Sequence, residues 1–200
     1  MRNTLLAIAL AAAGFAALPA AHAADDHSGF FINGNIGRSS LDQGVYNDDD
    51  TGYMGNVGYR WALSPNVLLG VEGGYTHLGS FSPENVPPGF GEAKVKGWNL
   101  GVNGHFNVAD NWYVSGRAGF FRATTQASYF GPSITDPTGT VVVPVNRLDD
   151  TSNKWYAGAG FGYDFNPNFS LGLNYDYYRA QTAGYKFDPD LVSVSGEYRF

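Results

Sequence analysis

The sequence predicts an all-β fold, an eight-stranded antiparallel up-and-down transmembrane β-barrel that follows a cleavable signal peptide. Three observations predict it. Strand-like segments alternate apolar and polar residues, aromatic residues recur at an interval of eight on the apolar face, and short and long connections alternate along the chain. Alternation is typical of strands with one apolar side, and alternating connection lengths are typical of barrels that cross a membrane.

The N-terminal segment has the layout of a secretory signal. Arg2 precedes an apolar stretch over residues 5–18, and the small-residue motif Ala-His-Ala follows at 21–23. An uncleaved anchor helix is the alternative, but such a helix needs roughly 20 apolar residues and this stretch is shorter. We therefore expect removal of residues 1–23 after Ala23, which leaves residues 24–200 as one barrel domain.

Alternation divides the rest of the chain into eight strands. In the second strand, Tyr53 and Trp61 bound the apolar face, while Met54 and Arg60 lie on the other face, because successive residues of a strand point to opposite sides. A soluble sandwich alternates in the same way, so this pattern alone does not separate the two folds. The predicted strands are 29–37, 53–61, 67–76, 98–106, 112–120, 155–164, 169–177 and 192–200.

Aromatic spacing favours the membrane barrel. Five strands carry aromatic residues eight positions apart on the apolar face, as Tyr53 and Trp61 do. Eight residues of a tilted strand climb roughly 20 Å, close to the apolar band of about 25 Å that such barrels present to lipid. Two aromatic girdles are therefore predicted. Their members are Tyr53, Trp61, Tyr75, Trp98, Phe106, Trp112, Phe120, Trp155, Tyr163, Phe169 and Tyr177.

Connection lengths predict the orientation. Short connections rich in Pro, Asn and Asp follow the second, fourth and sixth strands, as tight turns require. Long connections follow the odd-numbered strands, and they would face the exterior of the cell. Residues 140–145 of the longest are expected to extend its hairpin. The short connections are 62–66, 107–111 and 166–168, and the long ones are 38–51, 78–93, 123–153 and 179–190.

The faces opposite the apolar ones carry most of the charges within the strands. A charge facing lipid would cost up to about 2–4 kcal/mol, so these residues are expected in the barrel interior. Eight strands enclose a space just wide enough for side chains to fill. We expect a structural plug of ion pairs, with a conducting pore as the alternative. The predicted polar network consists of Arg60, Glu72, His105, Arg117, Asp164, Asp176, Glu197 and Arg199.

The remaining basic residues map to the outer rim and the long connections. Lipopolysaccharide carries phosphates at that level, and Arg and Lys bind phosphate well. Loops are also charged simply because they are solvated, and both interpretations stay open. The acidic run Asp48-Asp49-Asp50 is expected to be solvated, with a divalent-cation site as the alternative. The candidate rim consists of Arg38, Lys94, Lys96, Arg122, Lys154, Arg179 and Lys186, with Arg147 in the longest connection.

Composition disfavours nucleic-acid binding and catalysis. Without Arg2, eleven Lys and Arg stand against eighteen Asp and Glu, an acidic balance that argues against nucleic acid as a partner. Beyond the signal the histidines are His27, His77 and His105, and Ser80 follows His77 by three positions. A lipid-modifying active site there is the alternative to an interfacial histidine. We predict no catalytic residue, metal site or cofactor, and the chain has no Cys.

A family resemblance covers nearly the whole chain after the signal and is closest from Lys154 to the end. That part contains Trp-Tyr-Ala-Gly-Ala-Gly-Phe-Gly-Tyr-Asp-Phe-Asn-Pro-Asn, then Leu-Gly-Leu-Asn-Tyr-Asp-Tyr, and finally Ser-Val-Ser-Gly-Glu-Tyr-Arg-Phe. These segments resemble the membrane domain of the OmpA family and its small relatives, the OmpX and Ail-like proteins. Tyr198 and Phe200 are similar to the last-strand signal that the barrel assembly machinery recognises, although Gly196 stands one place later than the Gly common in that signal, where this chain has Ser195.

The resemblance implies an integral protein of the bacterial outer membrane. Full-length members of the OmpA family continue into a periplasmic peptidoglycan-binding domain, whereas this sequence stops at Phe200, so tethering to the cell wall is not expected. We expect a non-enzymatic barrel that contributes to envelope integrity and presents loops for adhesion or surface interaction. The alternatives are a porin-like channel for small solutes or ions and, less favoured, a lipid-modifying enzyme. Expected partners are outer-membrane lipid, lipopolysaccharide, the barrel assembly machinery and a receptor bound by the loops.

Overall fold

The computed structural model describes residues 28–43, 46–82, 90–130, 134–135, 141–142, 145–182 and 185–200. The predicted signal peptide, residues 1–23, and His27 lie outside these ranges. Within them, no helix has the length and apolar character needed to cross a bilayer.

Eight of the strands in the described ranges close into one antiparallel barrel. Each strand pairs with the next barrel strand along the chain, and β1 closes the ring against β12. The predicted eight-stranded up-and-down barrel is therefore confirmed. The barrel strands are β1 (Gly29–Gln43), β2 (Tyr46–Ser64), β3 (Val67–Phe81), β4 (Phe90–Asn107), β5 (Trp112–Phe130), β8 (Val145–Asp164), β9 (Phe169–Tyr178) and β12 (Asp190–Arg199).

Two small hairpins lie within the β5–β8 and β9–β12 connections. One pairs β6 (Ile134–Thr135) with β7 (Val141–Val142), and the other pairs β10 (Ala180–Thr182) with β11 (Tyr185–Phe187). The sequence predicted that residues 140–145 extend the main hairpin. That prediction is wrong for Val141 and Val142, because they pair with β6 in a separate sheet.

Closure of the ring satisfies the backbone at the seam. Ile32 lies opposite Tyr198 and Ile36 lies opposite Val194 in the β1–β12 register. Beyond the last pair, the amide N–H of Phe200 donates to the carbonyl oxygen of Phe30 at 2.9 Å. A closed ring has no free strand edge within the bilayer, where an unpaired backbone group would find no water.

The two faces of the barrel differ as the alternation predicts. On β4, Trp98 is 66% exposed and the next residue, Asn99, is 4% exposed. Exposed aromatic and aliphatic side chains cover the outside of the other strands too, and polar side chains fill much of the inside. In the membrane the outer face contacts lipid, so its exposed rings carry no solvation penalty.

The short connections lie together at one end of the barrel, as predicted. They are the turns at 65–66, 108–111 and 165–168. In the last of these, the side-chain oxygen of Asn166 accepts from the backbone N–H groups of Asn168 and Phe169, at 2.9 and 2.8 Å. Asn is common in tight turns because its side chain can bond the backbone in this way.

The long connections were predicted as loops, but much of their length is strand. The β1–β2 ladder continues from Arg38–Thr51 to Gln43–Tyr46, and the β5–β8 ladder continues from Ala123–Ser152 to Phe130–Val145. Beyond the bilayer the outward face meets water, so it needs no apolar residues and the alternation in the sequence disappears. Backbone pairing persists because each hairpin still satisfies its own N–H and C=O groups.

A bulge in β3 changes which residues face the interior. Gly79 has φ of 98°, and the β3–β4 register shifts between His77 and Gly79. An extra residue inserted into one strand reverses the phase of the side chains that follow it. As a result Leu78 and Phe81 are both buried in the barrel, whereas strict alternation from Leu78 would have turned Phe81 outward.

Candidate functional site: the barrel interior and the outer rim

An Arg–Glu pair in the barrel interior joins the two strands on either side of β1. Both terminal guanidinium nitrogens of Arg60 on β2 bind the two carboxylate oxygens of Glu197 on β12, and Nε of Arg60 donates to Oδ1 of Asn103 at 2.6 Å. The guanidinium also lies over the ring of Phe31, 4.2 Å from its centroid. A planar guanidinium suits this two-pronged contact with a carboxylate.

A second pair lies nearer the outer end. Nε and Nη2 of Arg117 on β5 donate to the two carboxylate oxygens of Asp176 on β9, at 2.6 and 2.7 Å. Nη2 is also 3.3 Å from the side-chain oxygen of Asn35 on β1. Both buried pairs are thus bidentate and have further hydrogen bonds, the arrangement that best offsets the cost of removing two charges from water.

Glu72 connects the polar network to Tyr156, which belongs to a buried apolar cluster on the outer side of the lumen. One carboxylate oxygen accepts from the hydroxyl of Tyr156 at 2.9 Å, and the other accepts from the side-chain amide of Asn103 at 3.1 Å. Since Asn103 also accepts from Arg60, these residues form one continuous network across the lumen.

The network reaches the short-turn end of the barrel through His105. Its Nε2 lies 3.1 Å from Asp164 and 3.0 Å from Asn107, and its ring stacks on Tyr113 with 4.1 Å between centroids. Nη2 of Arg199 lies between Asp164 and Glu197, at 3.7 and 3.6 Å. The structure therefore brings all eight residues of the candidate polar network to the interior.

An apolar layer seals the interior on the outer side, and sequence reasoning missed it. Tyr156 and Tyr178 stack with 5.7 Å between ring centroids, and Phe121 packs against Tyr178 at 5.0 Å. We call the set the apolar core. Its members are Leu41, Met54, Leu78, Phe81, Val95, Phe121, Ala123, Tyr156, Tyr178 and Leu191, all nearly or completely buried.

A sequence signal for part of this core exists. Phe121 and Ala123 continue the inward face of the predicted fifth strand, and Tyr156 lies on the inward face of the sixth. Met54 was already on the inward face of the predicted second strand. The assignment of 38–51 and 78–93 to loops concealed Leu41, Leu78 and Phe81, and Val95, Tyr178 and Leu191 lie just outside the predicted strands. For Phe81 the sequence offers only Gly79 as a hint of the bulge.

The space left within the polar network is small. A cavity of about 30 Å³ lies among its side chains, bordered by Asn33, Ser115 and Asn174 as well as by the ion pairs. One water needs roughly 10–15 Å³ measured in this way, so the cavity has room for about two waters.

The rim residues lie in different environments. Lys96 lies opposite Thr124 and His77, and Arg122 lies opposite Trp98, all on the outward face. Nothing among the described carboxylates lies within ion-pair distance of Lys96 or Arg122. Lys94 is exposed two residues above Lys96.

Other members of the candidate rim differ from these. Lys154 shares the lumen face, because its partner across the ladder is the fully buried Phe121. The guanidinium of Arg179 lies over the ring of Trp155 at 4.9 Å. Lys186 belongs to β11, but its side chain, like that of Arg147, lies outside the described residues.

Asp48, Asp49 and Asp50 bind protein groups. Carboxylate oxygens of Asp50 accept from the backbone N–H groups of Thr51 and Ser80, both at 2.7 Å, and Asp48 accepts from the N–H of Ser82 at 2.7 Å. The bonds to Ser80 and Ser82 connect β2 to the end of β3 and the residue after it, beyond the Tyr53–His77 pair where their ladder ends.

Asp49 forms an ion pair with Arg38 on the outer surface. The hydrogen bond from Arg38 and a further one from Ser40 hold the pKa of the Asp49 carboxyl below its ordinary value. The acidic run is thus part of the hairpin framework, and in the described part of the chain no cluster of three potential ligands is arranged for a metal ion.

The described residues considered for catalysis contact other side chains and backbone groups. The backbone N–H of Ser80 donates to Asp50 at 2.7 Å, and His105 lies beside Asp164 and Asn107. His77 packs its ring against Tyr53, 4.9 Å between centroids.

Comparison with known proteins agrees with this architecture. Residues 7–200 match the family model described as outer membrane protein beta-barrel domain. The chain is 29% identical over 209 residues to outer membrane protein A of Salmonella typhi, and 27% identical over 218 residues to that of Serratia marcescens. Each alignment covers 100% of this chain and 56% of the relative, so the chain spans about half the length of the curated relatives it matches.

Solved structures show the same fold. Ail, the attachment invasion locus protein of Yersinia pestis, has a TM-score of 0.53 and 15% identity, and the match covers 86% of this chain and 97% of Ail. Neisserial surface protein A has a TM-score of 0.54 and 14% identity, over 86% of this chain and 99% of that protein. With the family model matching nearly the whole chain, the protein belongs to the outer membrane protein beta-barrel domain family and is an integral β-barrel of the bacterial outer membrane.

Proposed function

We propose that the protein is a non-enzymatic barrel that contributes to envelope integrity and holds extracellular hairpins in position for adhesion or another surface interaction. One observation carries the proposal. Ion pairs and an apolar core fill the barrel interior, whereas the strands continue past the outer girdle as paired hairpins. A filled interior favours a role for the outer surface over a role for a pore.

The hairpins give this surface a defined shape. From Ala123–Ser152 to Phe130–Val145, the β5–β8 ladder adds eight residue pairs beyond the level of Trp155. At about 3.3 Å per residue this corresponds to roughly 20 Å or more of strand outside the apolar band. Binding residues are commonly found on loops that a rigid scaffold positions.

Hairpin truncation tests the proposal. Residues 131–144 would be replaced by Asn-Gly, a dipeptide that favours a tight hairpin turn, and the β1–β2, β3–β4 and β9–β12 connections would be shortened separately. We expect every variant to keep the gel shift between boiled and unboiled samples that closed barrels show, while at least one loses adhesion to host cells or to a surface. Full adhesion by all four folded variants would contradict the proposal.

A porin-like channel is the second candidate. The cavity of about 30 Å³ and its polar lining favour it, but conduction would require the apolar core to open. Planar bilayer recordings separate the two candidates. We expect no discrete steps from the native protein. Steps that shrink when Arg117 is replaced by Glu would favour the channel instead.

A lipid-modifying enzyme is the least favoured candidate, and one assay addresses it. Lipid A would be extracted from cells that overproduce the protein and compared by mass spectrometry with lipid A from cells without it. An unchanged spectrum is the expected result, and a new modified species would contradict the non-enzymatic proposal.

We also propose two steps in biogenesis. Cleavage after Ala23 would give a mature protein whose intact mass corresponds to residues 24–200. Tyr198 and Phe200 pack edge to face at 5.0 Å on the outward side of the closing strand, where the barrel assembly machinery could recognise them. Replacing both rings by Ala should lower the amount of folded barrel in the outer membrane, while Tyr163→Ala, outside the last strand, should not.

A further inference from the structure

A hollow on the lipid-facing side of β4, β5 and β8 has small residues at its base and extends to side chains of β2 and β3. Gly104 lies opposite Gly116, and Gly116 lies opposite Ala159, all on the outward face. A side chain added at Gly116 would meet no atom closer than 4.0 Å. The hollow measures about 710 Å³, with Trp61, Leu69 and Phe106 among its walls.

Cations lie on the same strands at the outer rim. Lys96 on β4 and Arg122 on β5 are diagonal neighbours, because Trp98 pairs with Arg122 and Lys96 pairs with Thr124. Diagonal neighbours across a ladder are about 7–8 Å apart, so two such side chains can bind one phosphate. Among the described residues, no carboxylate neutralises either of them.

The spacing between cations and hollow matches one membrane leaflet. The six residue steps from Arg122 down to Gly116 correspond to roughly 15 Å at about 3.3 Å per residue and a tilt of about 40°. A hydrocarbon core of about 30 Å gives about 15 Å to each leaflet. A lipid with its phosphate on Lys96 and Arg122 would therefore place the end of an acyl chain in the hollow.

A second hollow on the opposite side of the barrel provides a comparison. Gly34 lies between Gly55 and Gly196 across the β2–β1–β12 ladders, and no atom lies within 4 Å of a side chain added at Gly34 or Gly55. The cation above it, Arg38, is paired with Asp49. Both sides offer apolar space, but only the β4–β5–β8 side offers rim cations without a described carboxylate partner.

We propose that the β4–β5–β8 face is a binding site for one phosphorylated, multiply acylated lipid of the outer leaflet, the chemistry of lipid A. Lys96 and Arg122 bind its phosphate, and the hollow beside Gly116 takes an acyl chain. The site rests on the proposed function, which gives the outer surface of this barrel the main role. It goes beyond that proposal by assigning one face, two cations and an apolar subsite.

Native mass spectrometry of the purified, folded full chain with lipid A tests the site. Bisphosphorylated lipid A, its monophosphorylated form and phosphatidylglycerol would be compared at equal concentration. We expect one bound molecule of bisphosphorylated lipid A per barrel and weaker retention of the other two. Lys96→Ala combined with Arg122→Ala should weaken retention about tenfold or more, since hydrogen bonds to charged groups are stronger than neutral ones.

Matched variants separate the two parts of the site. Gly116→Leu fills the hollow and should lower retention several-fold, whereas Gly34→Leu fills the comparison hollow and should leave it unchanged. Arg38→Ala is the matched control for the rim cations and should also leave it unchanged. The proposal would be overturned if Gly116→Leu and Gly34→Leu lowered lipid A retention equally. It would also be overturned if Arg38→Ala lowered retention as much as Lys96→Ala combined with Arg122→Ala. Cross-linked dimers through the hollow in place of bound lipid would also overturn it.

A folding control keeps the result interpretable. Each variant must migrate as a folded barrel when unboiled, and if the alanine pair fails to fold, Lys96→Gln with Arg122→Gln replaces it with the same expected loss. Failure of the lipid site would leave barrel migration and hairpin-dependent adhesion intact. Failure of the proposed function would instead appear as adhesion that survives every hairpin truncation.

Discussion

Arg60 and Glu197 lie 137 positions apart in the chain and bind each other through two hydrogen bonds inside the barrel. The pair joins β2 to β12, the two strands on either side of β1. It therefore bridges β1 on the lumen side, next to the seam where β1 and β12 close the ring.

Breaking this pair should destabilise the barrel. Glu197→Gln leaves the Arg60 guanidinium buried without its counter-charge, and removing one partner of a buried pair costs about 3–5 kcal/mol. Urea unfolding of the protein in lipid vesicles measures the loss. The double variant Arg60→Met/Glu197→Leu removes both charges and should lose less stability than Glu197→Gln. A double variant as unstable as the sum of its single changes would show that the two residues act independently.

The apolar core should contribute both stability and closure. Phe121 is 0% exposed, so Phe121→Ala leaves a cavity and should cost about 3–5 kcal/mol. Its neighbour Phe120 is 74% exposed and faces lipid, so Phe120→Ala should cost clearly less. Bilayer recordings of the same two variants test closure, and we expect brief conductance events for Phe121→Ala alone. If both variants are silent and equally stable, the core does not seal the barrel.

The bulge at Gly79 should tolerate no side chain. At φ of 98° an L-residue is strained, by roughly 1–2 kcal/mol, and a Cβ there would lie 2.7 Å from Cβ of Asp50. We expect Gly79→Ala to lower the free energy of unfolding by at least this amount. Gly55→Ala, where a Cβ meets no atom within 4 Å, should change it by less than about 0.5 kcal/mol. Equal effects in the two variants would argue against strain at Gly79.

The Arg38–Asp49 pair should be visible in a titration. Because the pair lowers the pKa of Asp49 in the folded protein, it favours the folded state above the pKa of Asp49 in the unfolded chain. That contribution is lost as pH falls through the folded pKa. NMR titration of the Asp49 carboxyl should show its pKa rising towards the ordinary value in Arg38→Ala. Both side chains are exposed at the surface, so we expect little change in overall stability. An unchanged pKa in the variant would contradict the pairing.

The polar interior could be predicted residue by residue, and the apolar core could not. Arg60 and Arg117 lie on the strand faces opposite the apolar residues. Because a charged side chain that faces lipid is energetically costly, period-two alternation was enough to place both in the interior. The alternation did not predict which carboxylate each arginine binds. Arg60 binds Glu197 and Arg117 binds Asp176 because of strand order, tilt and register in the closed ring, which a single strand's pattern does not contain.

By itself, the sequence determined the fold class, the number of barrel strands, which face of each strand points to the lumen, and the end of the barrel at which the short turns lie. It could do so because each property follows from local rules, the alternation of side chains, the aromatic interval and turn chemistry. Only the tertiary structure decided that the outer hairpins remain paired, that Gly79 turns Phe81 inward, that Lys154 lies on the lumen face and that Asp48 and Asp50 bind the backbone of β3. Those outcomes depend on contacts between residues that are distant in the sequence. Outside the bilayer, no contact with lipid requires apolar residues at alternate positions.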